Sequence, residues 1–162
     1  MLKLMFVFTL LAFSYGATAQ HSFFVGVLSD HYQDAVYMDF RDGQLKSFND
    51  GGFDATQLIG YRYQGDQWAA GLCHYNNTYS DPTTCVFGEL GRPLTARISV
   101  SAGINLTYGY REALLTQDET ASMDKMILPI TYVGASYRFS QVNLAYQVLG
   151  MGAQVLLLEF EF

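Results

Sequence analysis

The sequence predicts an all-β protein, an eight-stranded antiparallel transmembrane β-barrel of outer-membrane type. Three observations lead there. Short runs of alternating polarity fill the chain beyond residue 20, the bulky side of those runs is too large for a narrow lumen, and the connections are short at one rim and long at the other. Half of the 162 residues are hydrophobic (50%) and 15% are aromatic, yet that apolar content is finely divided. A formal net charge of -6 argues against nucleic acid as a partner.

The one continuous apolar run comes first. A basic start ending at Lys3, an apolar stretch from Leu4 to Phe13 and the small-residue site Ala17-Thr18-Ala19 read as a secretory signal peptide over residues 1–19. It is too short for a membrane-spanning helix. Residues 20–162 then form one barrel domain, exported and lodged in a bacterial-type outer membrane.

Eight candidate strands follow, near residues 22–30, 54–63, 67–76, 83–91, 96–110, 127–139, 141–148 and 153–162. The fifth has the cleanest phase: Ile98, Val100, Ala102, Ile104, Leu106, Tyr108 and Tyr110 share one face, and Arg97, Ser99, Ser101, Gly103, Asn105, Thr107 and Gly109 the other. The seventh sets Val142, Leu144, Tyr146 and Val148 against Gln141, Asn143, Ala145 and Gln147. In the eighth, Leu156, Leu158, Phe160 and Phe162 oppose Val155, Leu157, Glu159 and Glu161. A soluble barrel of lipocalin type would turn the Ile, Leu and Tyr faces inward and overfill an eight-stranded lumen. The membrane barrel turns them to lipid, with Ser99, Asn105, Arg97, Glu159 and Glu161 inside and Phe160 and Phe162 at the inner interface.

The connections set the orientation. "QGD", "GRPLT" and "FSQ" are tight turns, whereas 31–53, "NTYSDP" and 111–125 are longer or polar. Short turns mark the periplasmic rim and long loops the outer one. Trp68, directly after a short turn, suits an anchor at the inner interface. Cys73 and Cys85 lie at equal distances from Tyr79, the centre of one loop, so they face each other on paired strands. The exported compartment permits a disulfide, though adjacent-strand geometry suits one only sometimes, and both a bond and two thiols remain open.

Two clusters sit at the outer ends of strands, "VLSDHYQD" around His31 and "HYNNTYSD" around Asn77 and Thr78. An imidazole beside a hydroxyl and an amide on a lipid-rich rim has the groups for acyl transfer. The same residues are also ordinary loop and turn formers. The order of "FFVGVLSDH", "AAGLCHYNNTYSD" and "LPITYVGASYRFSQVNL" resembles the outer-membrane lipid A palmitoyltransferase family (PagP-like). The resemblance implies an enzyme that moves an acyl chain from a phospholipid to lipid A, with no cofactor and as a monomer. It sets His31 on the family's catalytic His, Asn77 on its Asp and Thr78 on its Ser, so an amide replaces a carboxylate and a methyl crowds the hydroxyl. His31 would act as general base, Thr78 as hydroxyl relay, and Asn77 as orienting group or oxyanion donor. Pro129 falls where a proline weakens strand pairing for lipid entry, or is simply tolerated near a strand start.

Arg41, Lys46, Arg111 and Lys125 lie on the outer loops, free either to meet lipid A phosphates or to be solvated. The small residues Ser99, Ser101 and Gly103 leave either an acyl slot or simply a narrow lumen. His21 and His74 have no partner spacing for a metal, and no metal motif appears. The alternative function is a non-catalytic outer-membrane surface barrel whose loops bind a partner or serve the envelope.

Overall fold

The computed structural model describes residues 20–31, 36–39, 44–47, 54, 55, 57–77, 81–111, 124–150 and 152–162. The signal-peptide reading over residues 1–19 lies outside them. The elements are β1 (Gln20–His31), β2 (Val36–Asp39), β3 (Gln44–Ser47), β4 (Asp54–Ala55), β5 (Ile59–Gln64), β6 (Trp68–Asn76), β7 (Pro82–Pro93), β8 (Ile98–Arg111), β9 (Lys125–Phe139), β10 (Val142–Leu149) and β11 (Ala153–Glu161). Eight of these, β1 and β5 to β11, pair antiparallel with their chain neighbours, and β11 pairs back onto β1. The sheet therefore closes into a barrel. Closure leaves no long edge whose unpaired backbone groups would face lipid.

Alternation decides which wall each residue joins. On β8, Ile104, Leu106 and Tyr108 are 42–53% exposed while Thr107 is fully buried. On β11, Phe160 is exposed and Val155, Leu157 and Glu159 are buried; on β10, Tyr146 is exposed and Asn143, Ala145 and Gln147 are buried. The expected faces therefore hold on all three strands, with small or polar residues inward on β8 and β10 and Val155, Leu157 and Glu159 inward on β11.

The turns at 65–67, 94–97 and 140–141 define a short-turn rim, which also holds Gln20 and Phe162. An aromatic girdle surrounds it. Phe23 stacks on Phe162 at 5.9 Å, Tyr63 meets Trp68 at 5.6 Å and Tyr137 meets Phe139 at 4.5 Å. Such rings mark a membrane–water interface.

Three expectations need correction. The candidate strand at 54–63 is broken into β4 and β5, both paired to β1, because the register slips between Val25↔Ile59 and Leu28↔Ala55. From Val25 to Leu28 the chain takes three steps while the partner strand takes four from Ile59 to Ala55, and Gly26 N donates to Leu58 O at 2.7 Å in the gap. On its other side β1 is separately bulged against β11 between Gly26 and Leu28. The stretch from 31 to 53, read as loop, contains the β2–β3 hairpin, paired from Val36↔Ser47 to Asp39↔Gln44. Arg97, expected inside, lies in the turn before β8 and is exposed, donating from Nη1 to the Tyr137 hydroxyl at 3.3 Å. The turn begins one residue beyond the alternating run, so the inward phase stops at Ser99.

Candidate functional site

The lumen has two halves. Toward the long-loop rim, Phe24, Cys73, Cys85, Phe87, Val155 and Leu157 pack into an apolar cluster flanked by Leu58, Tyr75 and Leu149, with Ala145 at the edge where it meets the chamber below. Cys73 and Cys85 are register partners inside it, 5.0 Å apart at Cα and joined as a disulfide.

Below the cluster a charged bridge crosses the lumen. Arg62 reaches Glu89 through Nη2 and Glu159 through Nη1, each at 3.2 Å. The Tyr132 hydroxyl donates to Glu89 at 2.8 Å, and the Ser22 hydroxyl to Glu159 at 2.5 Å. The guanidinium also lies 5.9 Å from the Phe24 ring centre and 5.6 Å from that of Phe87. Buried charges persist only when paired and hydrogen-bonded, and both carboxylates here meet that condition. Gly103 makes room for this bridge, since a Cβ there would come within 2.6 Å of the Tyr132 ring and hydroxyl. Of the two readings of the small residues, acyl slot or narrow lumen, the space at Gly103 is filled by Tyr132, while Ser99 and Ser101 line a polar chamber at the short-turn rim.

At the long-loop rim, His31 is the last residue of β1 and its backbone pairs with Ala153. Asn77 directly follows β6, and only β5 separates β6 from β1 in the sheet. Thr78 lies outside the described residues, as do Arg41 and the side chains of His31 and Lys46; the backbone of Lys46 pairs with Tyr37 on β2.

Asn77 is buried at 6% exposure, and its carboxamide is engaged at both ends. Oδ1 accepts from the Asp81 backbone N–H at 3.0 Å, and Nδ2 donates to Gly109 O at 3.3 Å. Gly109 sits at a bulge in β8, where the register slips between Tyr108 and Tyr110, with φ of 148°. A Cβ there would meet Thr83 Oγ1 at 2.4 Å, so glycine is required for strand and loop to approach this closely. Asn77 thus acts as a clamp between the β6–β7 loop and β8.

The described cations on this rim belong to the same cluster. Arg111 pairs with Asp81 at 2.9 Å, and Lys125, the register partner of Arg111, donates to Pro82 O at 3.0 Å. Pro129 is exposed on the outer wall opposite Leu106, as the fifth residue of β9. His74, also on the outer wall, bonds Thr84 at 3.2 Å, and among the described residues no group of three or more His, Cys, Asp or Glu is placed to hold a metal ion.

Sequence reasoning missed the Arg62 bridge and the Gly109 seat of Asn77. An arginine at an inward phase between two aromatic-rich strands is a signal for the first. Nothing local in the sequence marks the second.

No family model matches the chain, and no curated protein matches it. Among solved structures it is similar to a protein described under "De novo design of transmembrane beta-barrels", with a TM-score of 0.53 and 13% identity over 88% of this chain and 95% of that one. At that identity the likeness shows the fold alone: the chain is an eight-stranded barrel of transmembrane type, the architecture of an outer-membrane protein.

Proposed function

We propose that this barrel is a lipid A acyltransferase of the outer membrane, working at its long-loop rim. One observation carries the reading: His31 and Asn77, far apart in sequence, both lie where strands end at that rim, with a single strand between them. The resemblance to the palmitoyltransferase pattern gives these positions a chemistry.

In the reaction, the His31 imidazole takes the proton of a lipid A hydroxyl as its oxygen attacks the ester carbonyl of a phospholipid. The tetrahedral intermediate collapses by breaking the ester C–O bond. The departing lysophospholipid oxygen receives the proton from His31, and lipid A keeps the acyl chain. Thr78 supplies the hydroxyl that relays or polarises. Because its amide is engaged, Asn77 serves as a positioning residue that holds the loop, rather than as an oxyanion donor. Arg111 and Lys125, with Arg41 and Lys46, favour the phosphates of lipid A.

Expression in a host lacking such an enzyme, followed by lipid A mass spectrometry under membrane stress, tests this. One added acyl chain is expected from wild type, none from His31→Ala, and much less from Thr78→Ala, whereas Thr78→Ser retains the addition. Unmodified lipid A from wild type and His31→Ala alike would defeat the reading. It would favour a non-catalytic surface barrel, which the tight apolar packing of the outer half of the lumen also suits.

A further inference from the structure

The half of the lumen below the Arg62 bridge is not packed. It holds a chamber of 320 Å³ bounded by the bridge and the short-turn rim. Two rows of small residues account for it. Ser101, Gly134 and Gln147 are register partners across β8, β9 and β10, and Ser99, Ser136 and Ala145 form the next row toward the rim. Gly134 lets its neighbours converge, since a Cβ there would lie 3.1 Å from Gln147 Cγ and 3.3 Å from Ser101 Oγ.

Small residues alone would make only a gap, but one buried polar side chain that lines it, Gln147, 9% exposed, has no hydrogen bond to another described residue. Buried polar groups in proteins are almost always satisfied, so each such exception calls for an explanation.

We propose that this chamber is a binding site for a neutral saccharide, entering from the short-turn rim, which by the architecture of these barrels faces the periplasm. A carboxamide both donates and accepts, and it can span two adjacent hydroxyls of a sugar ring: Nε2 donates to one and Oε1 accepts from the other. The Ser99 and Ser136 hydroxyls, bonded to each other at 3.0 Å, add a second polar row. The Arg62 guanidinium, paired with Glu89 and Glu159, closes the deep end. Charge favours a neutral ligand, because the lining nearly balances, Arg62, Arg92, Arg97 and Arg138 against Asp66, Glu89 and Glu159, and so draws in neither ion. The volume is at the low end for ligand pockets and fits one or two rings. Such a ring is available either as a free sugar or as the terminal unit of a glycan strand, and both present the same hydroxyls.

The test uses the full barrel in phospholipid nanodiscs, with saturation-transfer NMR and titration calorimetry. The probes are glucose, a short β-1,4-linked N-acetylglucosamine oligomer, and gluconate and glucosamine as charged comparators. Saturation should pass to a neutral probe and weakly, if at all, to the charged ones. Transfer to glucose identifies a free-sugar site, and transfer to the oligomer alone a glycan-end site. Gln147→Leu should weaken binding by roughly tenfold or more, since it removes two hydrogen bonds. Ser101→Leu, which fills the chamber without touching the bridge, should abolish it and serves if Gln147→Leu does not fold. His31→Ala should bind as wild type does, so the result is independent of acyl transfer. No transfer to either neutral probe would mean a water-filled space and overturn the proposal. Binding that persists undiminished in Ser101→Leu, or that favours gluconate or glucosamine, would overturn it too.

Discussion

The Asn77 carboxamide joins the start of β7 to the bulge of β8, accepting from Asp81 N and donating to Gly109 O. Asn77→Asp keeps the acceptor but loses the donor and sets a carboxylate against the Gly109 carbonyl. It should therefore destabilise the barrel by about 1–3 kcal/mol in urea unfolding from bilayers. It should also fail to raise any acyl transfer; a faster Asn77→Asp enzyme of unchanged stability would restore the orienting-carboxylate role. Arg62 shows the same logic with charge. Arg62→Met leaves Glu89 and Glu159 buried without their counter-ion and should cost about 3–5 kcal/mol. The triple change that adds Glu89→Gln and Glu159→Gln should recover most of that loss, because the penalty lies in the stranded carboxylates. A triple variant as unstable as the single one would contradict this.

At the scale of the strand, Ile104 stands near the middle of β8 on the lipid wall. Ile104→Arg should lower stability by about 2–4 kcal/mol if that position lies at the bilayer midplane, and unchanged folding into bilayers would refute the phase. The β6–β7 hairpin carries the Cys73–Cys85 bond across a separation of 12 residues. Closing so short a loop restricts the unfolded chain by roughly 3 kcal/mol, so the Cys73→Ala, Cys85→Ala barrel should unfold that much more easily. Peptide mass mapping without reduction should find the two cysteines linked. Both the wall phase and the pairing of Cys73 with Cys85 were legible in the sequence, because strand period and loop symmetry are local properties. The break between β4 and β5 was not, since it lies in their register against β1, a neighbour distant in sequence. Nor was the seat of Asn77, because its partner Gly109 is 32 residues away and glycine is common in such strands. For the candidate site, the sequence supplied the rim shared by His31 and Asn77 but not the work the Asn77 amide performs.

Across the whole molecule the lumen reads, from the long-loop rim inward, as apolar packing, charged bridge and open chamber. An eight-stranded barrel has room for side chains or one small ligand, and here the chain divides that room between the two. Phe24 and Phe87 stand against one face of the Arg62 guanidinium layer and meet edge to face at 5.9 Å, so the chamber is closed at its outer end. The purified barrel in planar bilayers should therefore pass no steady ionic current. Arg62→Ala alone should stay closed, because both rings and the apolar cluster remain above it. Arg62→Ala combined with Phe24→Ala and Phe87→Ala removes the bridge and the layer together, and that variant should show discrete current steps if it folds. A Ser101→Cys thiol below the bridge gives a second readout that needs no open channel: a charged, membrane-impermeant thiol reagent should modify it from the short-turn side and leave it untouched from the long-loop side. Current steps from wild type, or labelling of Ser101→Cys from the long-loop side, would show that the bridge and ring layer do not seal the lumen.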